Sequence, residues 1–157
     1  MIKLQSAPKP DLDVFAGNPL NYPFFKATFK EVVEKAVEDQ VGRLTRLIKY
    51  TSGDAKDLIM HLVHASPLSC YDEAIKMLDD EYGNPHLIHR SYIAELRKWD
   101  VIKANDTSAY KKLYRFLLKC QTYKTTYKLT ELDSTDIIQT VIRKVPALPR
   151  AMEPKSS

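Results

Sequence analysis

Glycine and cysteine are both scarce in this sequence. Four glycines among 157 residues leave few positions for phosphate-binding loops, and the sequence contains no Walker-type loop. The two cysteines, Cys70 and Cys120, are too few for a secreted disulfide framework, so we expect an intracellular, cytoplasmic protein. No apolar run approaches the roughly 18 residues of a membrane span, and the first residues carry none long enough to predict a signal peptide. These absences argue against disulfide-rich secreted proteins, membrane proteins and P-loop enzymes.

Motifs of catalysis and metal binding are also missing. The sequence has no G-x-S-x-G and no H-E-x-x-H, and the carboxylate run at residues 79–81 is more typical of a solvated helix end than of a Mg²⁺ site. His61 and His64, like His86 and His89, share a helix face, but no Cys or carboxylate near them completes a zinc ligand set. We therefore expect a protein that is not an enzyme, with no catalytic residues, no metal and no cofactor.

Charge is unevenly distributed along the chain. Residues 1–84 hold 10 basic and 13 acidic residues, a net charge of −3, whereas residues 85–157 hold 14 and 7, a net charge of +7. A basic half can meet nucleic acid, an acidic partner or a membrane surface. The simpler interpretation is a lysine-rich face that contacts only solvent.

The first part of the chain is rich in proline. Four prolines lie within residues 6–23 and disfavour helix, so an extended N-terminal segment is predicted over residues 1–18. Its apolar residues Leu12, Val14 and Phe15 are expected to hold this strap against the first lobe.

Beyond the strap, apolar residues recur with the helical period. Four amphipathic helices are predicted in residues 19–84 and three in residues 85–149, while residues 150–157 are expected to be disordered. A glycine past one helix and a proline opening the next predict a hinge between the two groups, at Gly83, Asn84 and Pro85. The predicted fold is all-α, with about seven helices and short connections.

The apolar stripes of these helices predict two small cores. The first is expected to contain Phe15, Tyr22, Phe25, Phe29, Leu47, Leu58, Tyr71, Leu78 and Tyr82. The second is expected to contain Leu96, Trp99, Tyr114, Leu117, Ile138 and Val141.

The predicted sixth helix has a basic outer side. Lys111, Lys112, Arg115 and Lys119 fall within one broad stripe, and phosphate contacts need cations in no particular sequence. They are the candidate nucleic-acid-contacting residues. The aromatic residues of this helix, Tyr114 included, are expected on its inner side, so the pattern predicts no stacking platform for bases.

Three ordered motifs resemble one known family. Residues 15–25 match F-x-G-[DN]-P-x-x-[WY]-x-x-F, residues 46–55 resemble an L…L-x-G-x-A segment, and residues 71–85 match Y-x-x-A-x-x-x-L-x-x-x-[FY]-G-[DN]-P. Together with Val145 and Pro146, which resemble a K-L-P close, they make the chain similar to the DUF1759-like Gag capsid region of BEL/Pao LTR retrotransposons. Retroviral capsid proteins and the neuronal Arc capsid domain are more distantly similar.

This resemblance implies a structural role. A two-lobed, retroviral-capsid-like bundle would self-associate into a shell around the element's RNA, with residues 85–149 as the dimerising lobe. Relatives continue for one or two helices beyond the K-L-P close, so the second lobe is expected to be incomplete. The zinc knuckle and the D-[ST]-G protease motif that accompany such regions are absent from this sequence.

Two alternatives to a shell protein remain open. Relatives of the first lobe hold a peptide in a groove beside the strap, which makes Leu12, Val14, Phe15 and Tyr22 the candidate groove residues of a domesticated peptide-binding module. A weak RNA-binding domain that uses the basic helix is the other. The expected partners are thus further copies of the chain and element RNA, with no membrane.

Overall fold

The computed structural model describes residues 12–127 and 135–146, and this part of the chain confirms the all-α prediction with seven helices. The helices are α1 (Tyr22–Phe29), α2 (Gln40–Lys49), α3 (Gly53–Ile59), α4 (Cys70–Tyr82), α5 (Pro85–Lys98), α6 (Thr107–Thr126) and α7 (Thr135–Lys144). Short 3₁₀ turns span Pro19–Asn21 and Met60–His64, and a π turn spans Lys30–Glu34. None of the described helices is both long and apolar enough to cross a membrane.

Side chains fix where several helices begin. Asp39 accepts a hydrogen bond from the Gly42 N–H (2.8 Å) at the start of α2, and Asp106 accepts one from the Ala109 N–H (3.0 Å) at the start of α6. Such caps satisfy backbone donors that have no partner within the helix. At α4 the acceptor comes from another helix, because the Gln40 amide oxygen accepts from the N–H of Asp72 (3.0 Å).

The π turn after α1 changes the helical phase. Phe25, Phe29 and Val33 are buried, whereas Ala36, which continues the stripe at α-helical spacing, is exposed. The wider turn rotates the following residues relative to an uninterrupted helix. The chain beyond it is held by Arg43, whose guanidinium donates to the backbone oxygens of Glu34 and Val37.

The chain divides into two compact units, Met1–Ile88 and His89–Ser157, here called the first and second unit. The division falls within α5, four residues beyond Asn84, and the domain boundary expected after Asn84 stays a prediction. The parts of the expected N-terminal segment before Leu12 and the expected disordered tail lie outside the described residues.

The first unit has the core that the apolar stripes predicted. Every residue predicted there is buried except Leu58, which is half-buried and packs against the edge of the cluster. Phe15 lies at its centre, with ring centroids 5.0 Å from Tyr82, 5.3 Å from Tyr22 and 5.4 Å from Phe25. These tilted, stacked and edge-to-face pairs stabilise the core beyond the burial of their apolar area.

Among the described residues of the second unit, Leu96, Ile102 and Leu113 form one buried cluster. Half-buried side chains surround it, namely Trp99, Ala109, Tyr110, Phe116, Leu117, Ile137, Val141 and Val145. Ile102 lies in the connection between α5 and α6, outside any helical stripe, so periodicity could not find it.

The core prediction for the second unit is wrong at two residues. Tyr114 is 62% exposed and Ile138 is 56% exposed. The helix α6 carries apolar residues on three sides, so the apolar pattern alone left its rotation ambiguous. Contacts with α5 decide it, because Phe116 packs against Tyr92 (5.5 Å between centroids) and Trp99 (5.1 Å), which turns Tyr114 outward.

Candidate interaction surfaces

The strap is joined to the rest of the first unit by a short parallel pairing. Phe15 donates its N–H to the Tyr50 oxygen (2.9 Å) and accepts from the Ser52 N–H (3.0 Å), so that it pairs with Thr51 between α2 and α3. Its side chain is simultaneously buried in the core. Residues 12–16 therefore form an integral part of the first unit.

The residues after Phe15 explain the motif F-x-G-N-P. Gly17 has φ +107°, which side chains rarely adopt, and an added Cβ would meet the Tyr82 hydroxyl at 3.3 Å. Asn18 caps the following turn by accepting from the Leu20 N–H (3.0 Å), and Pro19 occupies the first position of that turn. Each conspicuous residue of the motif thus has a structural task at the entrance to α1.

A groove lies between the strap and α1. It is a cavity of about 340 Å³ lined by Leu12, Asp13, Val14, Phe15, Asn21, Phe24, Phe25 and Thr28. Val14 is 53% exposed and Phe24 is 66% exposed, so the groove opens onto apolar side chains. Sequence reasoning missed Phe24, although its position beside the buried Phe25 stripe indicated an aromatic ring on the outer face of the helix.

Of the four residues predicted for this groove, Tyr22 belongs elsewhere. Leu12, Val14 and Phe15 line the cavity, whereas Tyr22 is buried and its hydroxyl donates to Asp79 (2.6 Å). Lys26 also donates to Asp79, with nitrogen–oxygen distances of 2.8 and 2.9 Å. One carboxylate of the run at residues 79–81 therefore joins α1 to α4, while Asp80 pairs with Lys76 at 3.3 Å.

The predicted hinge residues have distinct structural tasks. Gly83 donates its N–H to the Asp79 oxygen (2.8 Å), and an added Cβ would lie 2.9 Å from that oxygen and 3.2 Å from the Tyr22 ring. Asn84 caps α5, since its side-chain oxygen accepts from the His86 N–H (2.8 Å), and Pro85 is the first residue of that helix. Only glycine fits the close approach at residue 83, and bending at this segment stays a prediction.

The four cations predicted for α6 are all exposed. Lys111, Arg115 and Lys119 follow one another at intervals of four residues, and Lys112 lies beside them. In the described part of the chain, the ion pairs fall within residues 26–80 and involve none of these side chains. Lys112 also lines a cavity of about 590 Å³ at the start of α6, whose lining includes carboxylates and Trp99.

Tyr114 lies on the same exposed side of α6. Sequence reasoning missed it as a surface residue and assigned it to the core. The basic stripe could have indicated that Tyr114 is exposed. Tyr114 is three residues from Lys111 and next to Arg115, so it lies at the edge of that stripe.

The histidines and cysteines form no site in the described residues. His61, His64 and His86 are exposed and His89 is half-buried, and within residues 12–127 and 135–146 no three His, Cys, Asp or Glu side chains are grouped as metal ligands. Both cysteines are free and buried. Burial raises the pKa of the Cys120 thiol to about 12, so this thiol is protonated and unreactive at neutral pH.

Comparison with known proteins gives one match. The model of a family described as "Protein of unknown function (DUF1759)" matches residues 15–151, starting at the Phe15 that anchors the strap. No curated protein and no solved structure matches the chain. Since this match covers most of the sequence, the chain belongs to the DUF1759 family, which is associated with Gag-like regions of retrotransposons.

Proposed function

We propose that this chain is a structural, non-enzymatic Gag-like capsid module, of a retrotransposon or of a gene derived from one, and that its activity is self-association into a shell. The observation that carries the proposal is the family match over residues 15–151, which begins at the residue that joins the strap to the core of the first unit. Two compact helical units on one chain suit a shell, which needs rigid parts joined by repeated weak interfaces that close by symmetry.

Exposed apolar side chains support contacts between copies. In the first unit Met60, Val63 and Leu68 are exposed within nine residues of chain, and Leu68 is 86% exposed. In the second unit Ile138 and Ile142 are exposed one turn apart on α7. Apolar side chains that adjoin one another on the surface are typical of sites that bind another protein.

Sedimentation velocity and electron microscopy across protein and salt concentration test the proposal. We expect species larger than the monomer that grow with concentration and appear as closed particles. Ile138→Ser with Ile142→Ser should lower the association constant at least tenfold, as should Val63→Ser with Leu68→Ser. The matched control, Ile138→Val with Ile142→Val, keeps an apolar surface and should associate almost as the parent chain does. A chain that stays monomeric under every condition would overturn the proposal.

A peptide-binding module is the second candidate, and the groove beside the strap favours it. Its volume of about 340 Å³ and its exposed Phe24 would suit an apolar side chain of an extended peptide. Peptides selected on the full chain from a display library should lose binding on Phe24→Ser and Val14→Ser, but not on Val41→Ser, an exposed apolar residue outside the groove. Selected peptides that bind all three variants equally would remove this candidate.

We also propose an intracellular location for this protein. The two buried thiols are free, which supports a reducing, intracellular environment for the protein.

A further inference from the structure

The helix α6 carries more Lys and Arg residues than any other described helix, and it has no carboxylate to balance them. Thr107–Thr126 contains five Lys or Arg and no Asp or Glu. Lys111, Arg115 and Lys119 succeed one another at i, i+4 and i+8, where like charges repel and destabilise the helix. No described ion pair relieves that repulsion. A stripe of this kind is complementary to a polyanion that runs along the helix.

A second stripe runs beside the basic one. Tyr114, Leu118, Gln121 and Thr125 recur at i, i+4, i+7 and i+11 and all are exposed. The ring of Tyr114 is thus accessible at one end of the stripe. Further along, Leu118, Gln121, Thr122, Thr125 and Thr126 line a shallow cavity of about 340 Å³. Amide and hydroxyl groups there can both donate and accept hydrogen bonds.

We propose that this side of α6 binds single-stranded nucleic acid, with phosphates on Lys111, Arg115 and Lys119 and a base stacked on Tyr114. A positively charged track with an adjacent accessible aromatic ring is the arrangement by which proteins hold single strands. The inference does not depend on self-association, since every residue in it lies on one helix of one copy.

The accessible ring of Tyr114 distinguishes this partner from an acidic polypeptide. Carboxylates of an acidic peptide would use the cations but have no flat ring to stack on Tyr114, whereas every nucleobase has one. Lys111, Arg115 and Lys119 span about 12 Å along the helix, a length that covers a few nucleotides. Lys112 shares its cavity with Glu95, Asp100 and Asp106, so we expect a smaller contribution from it.

The salt dependence of binding is the first measurement. The probe is a fluorescein-labelled oligouridine of 20 nucleotides, titrated with the full chain and followed by anisotropy. If Lys111, Arg115 and Lys119 each neutralise a phosphate, the slope of log affinity against log salt is about −2.1, a loss of roughly 20-fold between 50 and 200 mM salt. Lys111→Gln, Arg115→Gln and Lys119→Gln together should reduce the slope to near zero, with only the smaller contribution of Lys112 remaining.

Charge-matched and ring-matched variants serve as controls. Lys30→Gln, Lys49→Gln and Lys76→Gln remove three exposed cations from the first unit and should leave the slope close to that of the parent chain. Tyr114→Ala should weaken binding about fivefold or more through lost stacking, whereas Tyr114→Phe should bind like the parent. Tyr114→Leu, which keeps apolar bulk without a flat aromatic ring, should behave like the alanine variant.

Other outcomes separate the alternatives. If polyglutamate of equal charge binds as tightly as oligouridine and Tyr114→Ala changes nothing, the surface binds acidic polypeptides and the proposal is overturned. If the triple α6 variant alters sedimentation of the free protein but not RNA binding, the stripe is an interface between copies. Equal losses in both triple variants would show a general charge effect and would also overturn it.

Discussion

In the first unit six aromatic rings meet in one buried network, whereas in the second unit the aromatic residues are spread from core to solvent. Phe15, Tyr22, Phe25, Phe29, Tyr71 and Tyr82 are all buried and linked by ring contacts. In the second unit Tyr92 and Tyr123 are buried, Trp99 and Phe116 half-buried, and Tyr114 and Tyr127 exposed. The first unit therefore buries most of its rings in its own core and exposes Phe24 beside the groove, while the second unit exposes Tyr114 beside a basic stripe.

The buried network of the first unit should be the most sensitive part of the chain. Phe29 is fully buried between Phe25 and Tyr71, so Phe29→Ala should lower the free energy of unfolding by about 3–5 kcal/mol. Urea unfolding followed by circular dichroism measures this loss, with the exposed Val14→Ala as the control that should change it by less than about 0.5 kcal/mol. Equal midpoints for the two variants would contradict the assigned core.

A leucine in the core of the second unit should tolerate truncation slightly better than Phe29. Leu96 is fully buried in a cluster with Ile102 and Leu113, and its side chain is smaller than that of Phe29, so Leu96→Ala should cost about 2–3 kcal/mol. Hydrogen exchange should show the lost protection in α5 and α6. Loss confined to α1–α4 would show that Leu96 supports the first unit instead, and the comparison between the units would fail.

The contribution of the strap to the stability of the first unit can be tested at one residue, Gly17. Gly17→Ala places a side chain at φ +107° and should destabilise the first unit by about 1–2 kcal/mol. Because the new Cβ would also meet the Tyr82 hydroxyl, the same change in a Tyr82→Phe background separates steric from conformational cost. If the full penalty persists there, the positive φ is its cause. Complete recovery would show that the penalty came from the hydroxyl alone.

Alkaline pH should lower the stability of the two units through different ionisable groups. Burial raises the pKa of Cys120 to about 12 and that of Tyr123 to about 12, and in the first unit burial and then Glu34 raise the pKa of Tyr71. A raised folded pKa means that stability is complete below the unfolded pKa and declines as pH rises through the folded one. The second unit should therefore weaken from about pH 8.5, where the unfolded Cys120 thiol ionises, whereas the stabilisation from Tyr71 in the first unit declines from about pH 10.

Hydrogen exchange between pH 8 and 10.5 measures the pH at which each unit begins to lose stability. The experiment compares the parent chain with Cys120→Ala. The alanine variant should move the first decline of the second unit up toward pH 10, because tyrosines alone then remain. An unchanged onset in that variant would show that the thiol does not set it.

Sequence patterns predicted the first unit better than the second for a physical reason. Each helix of the first unit has a main apolar stripe that faces the core, and the motif around Phe15 and Gly17 closes that core. The helix α6 offers Tyr114 and Leu118 on one side and Phe116 and Cys120 on another, so its rotation depends on partners that periodicity does not contain. The same limitation hid the contribution of Ile102.

The smallest expected changes in the free energy of unfolding concern exposed residues of α6 and α7. Tyr114 is exposed and Ile138 more than half exposed, so Tyr114→Ala and Ile138→Ala should each change the free energy of unfolding by less than about 0.5 kcal/mol. The half-buried Leu117 and Val141, truncated to Ala in parallel, should each cost more than the exposed neighbour on the same helix. If Tyr114→Ala instead destabilised the chain as much as Leu96→Ala, its ring would belong to the core. The basic side of α6 would then have no accessible ring on which a base could stack, and the difference in aromatic exposure between the two units would disappear.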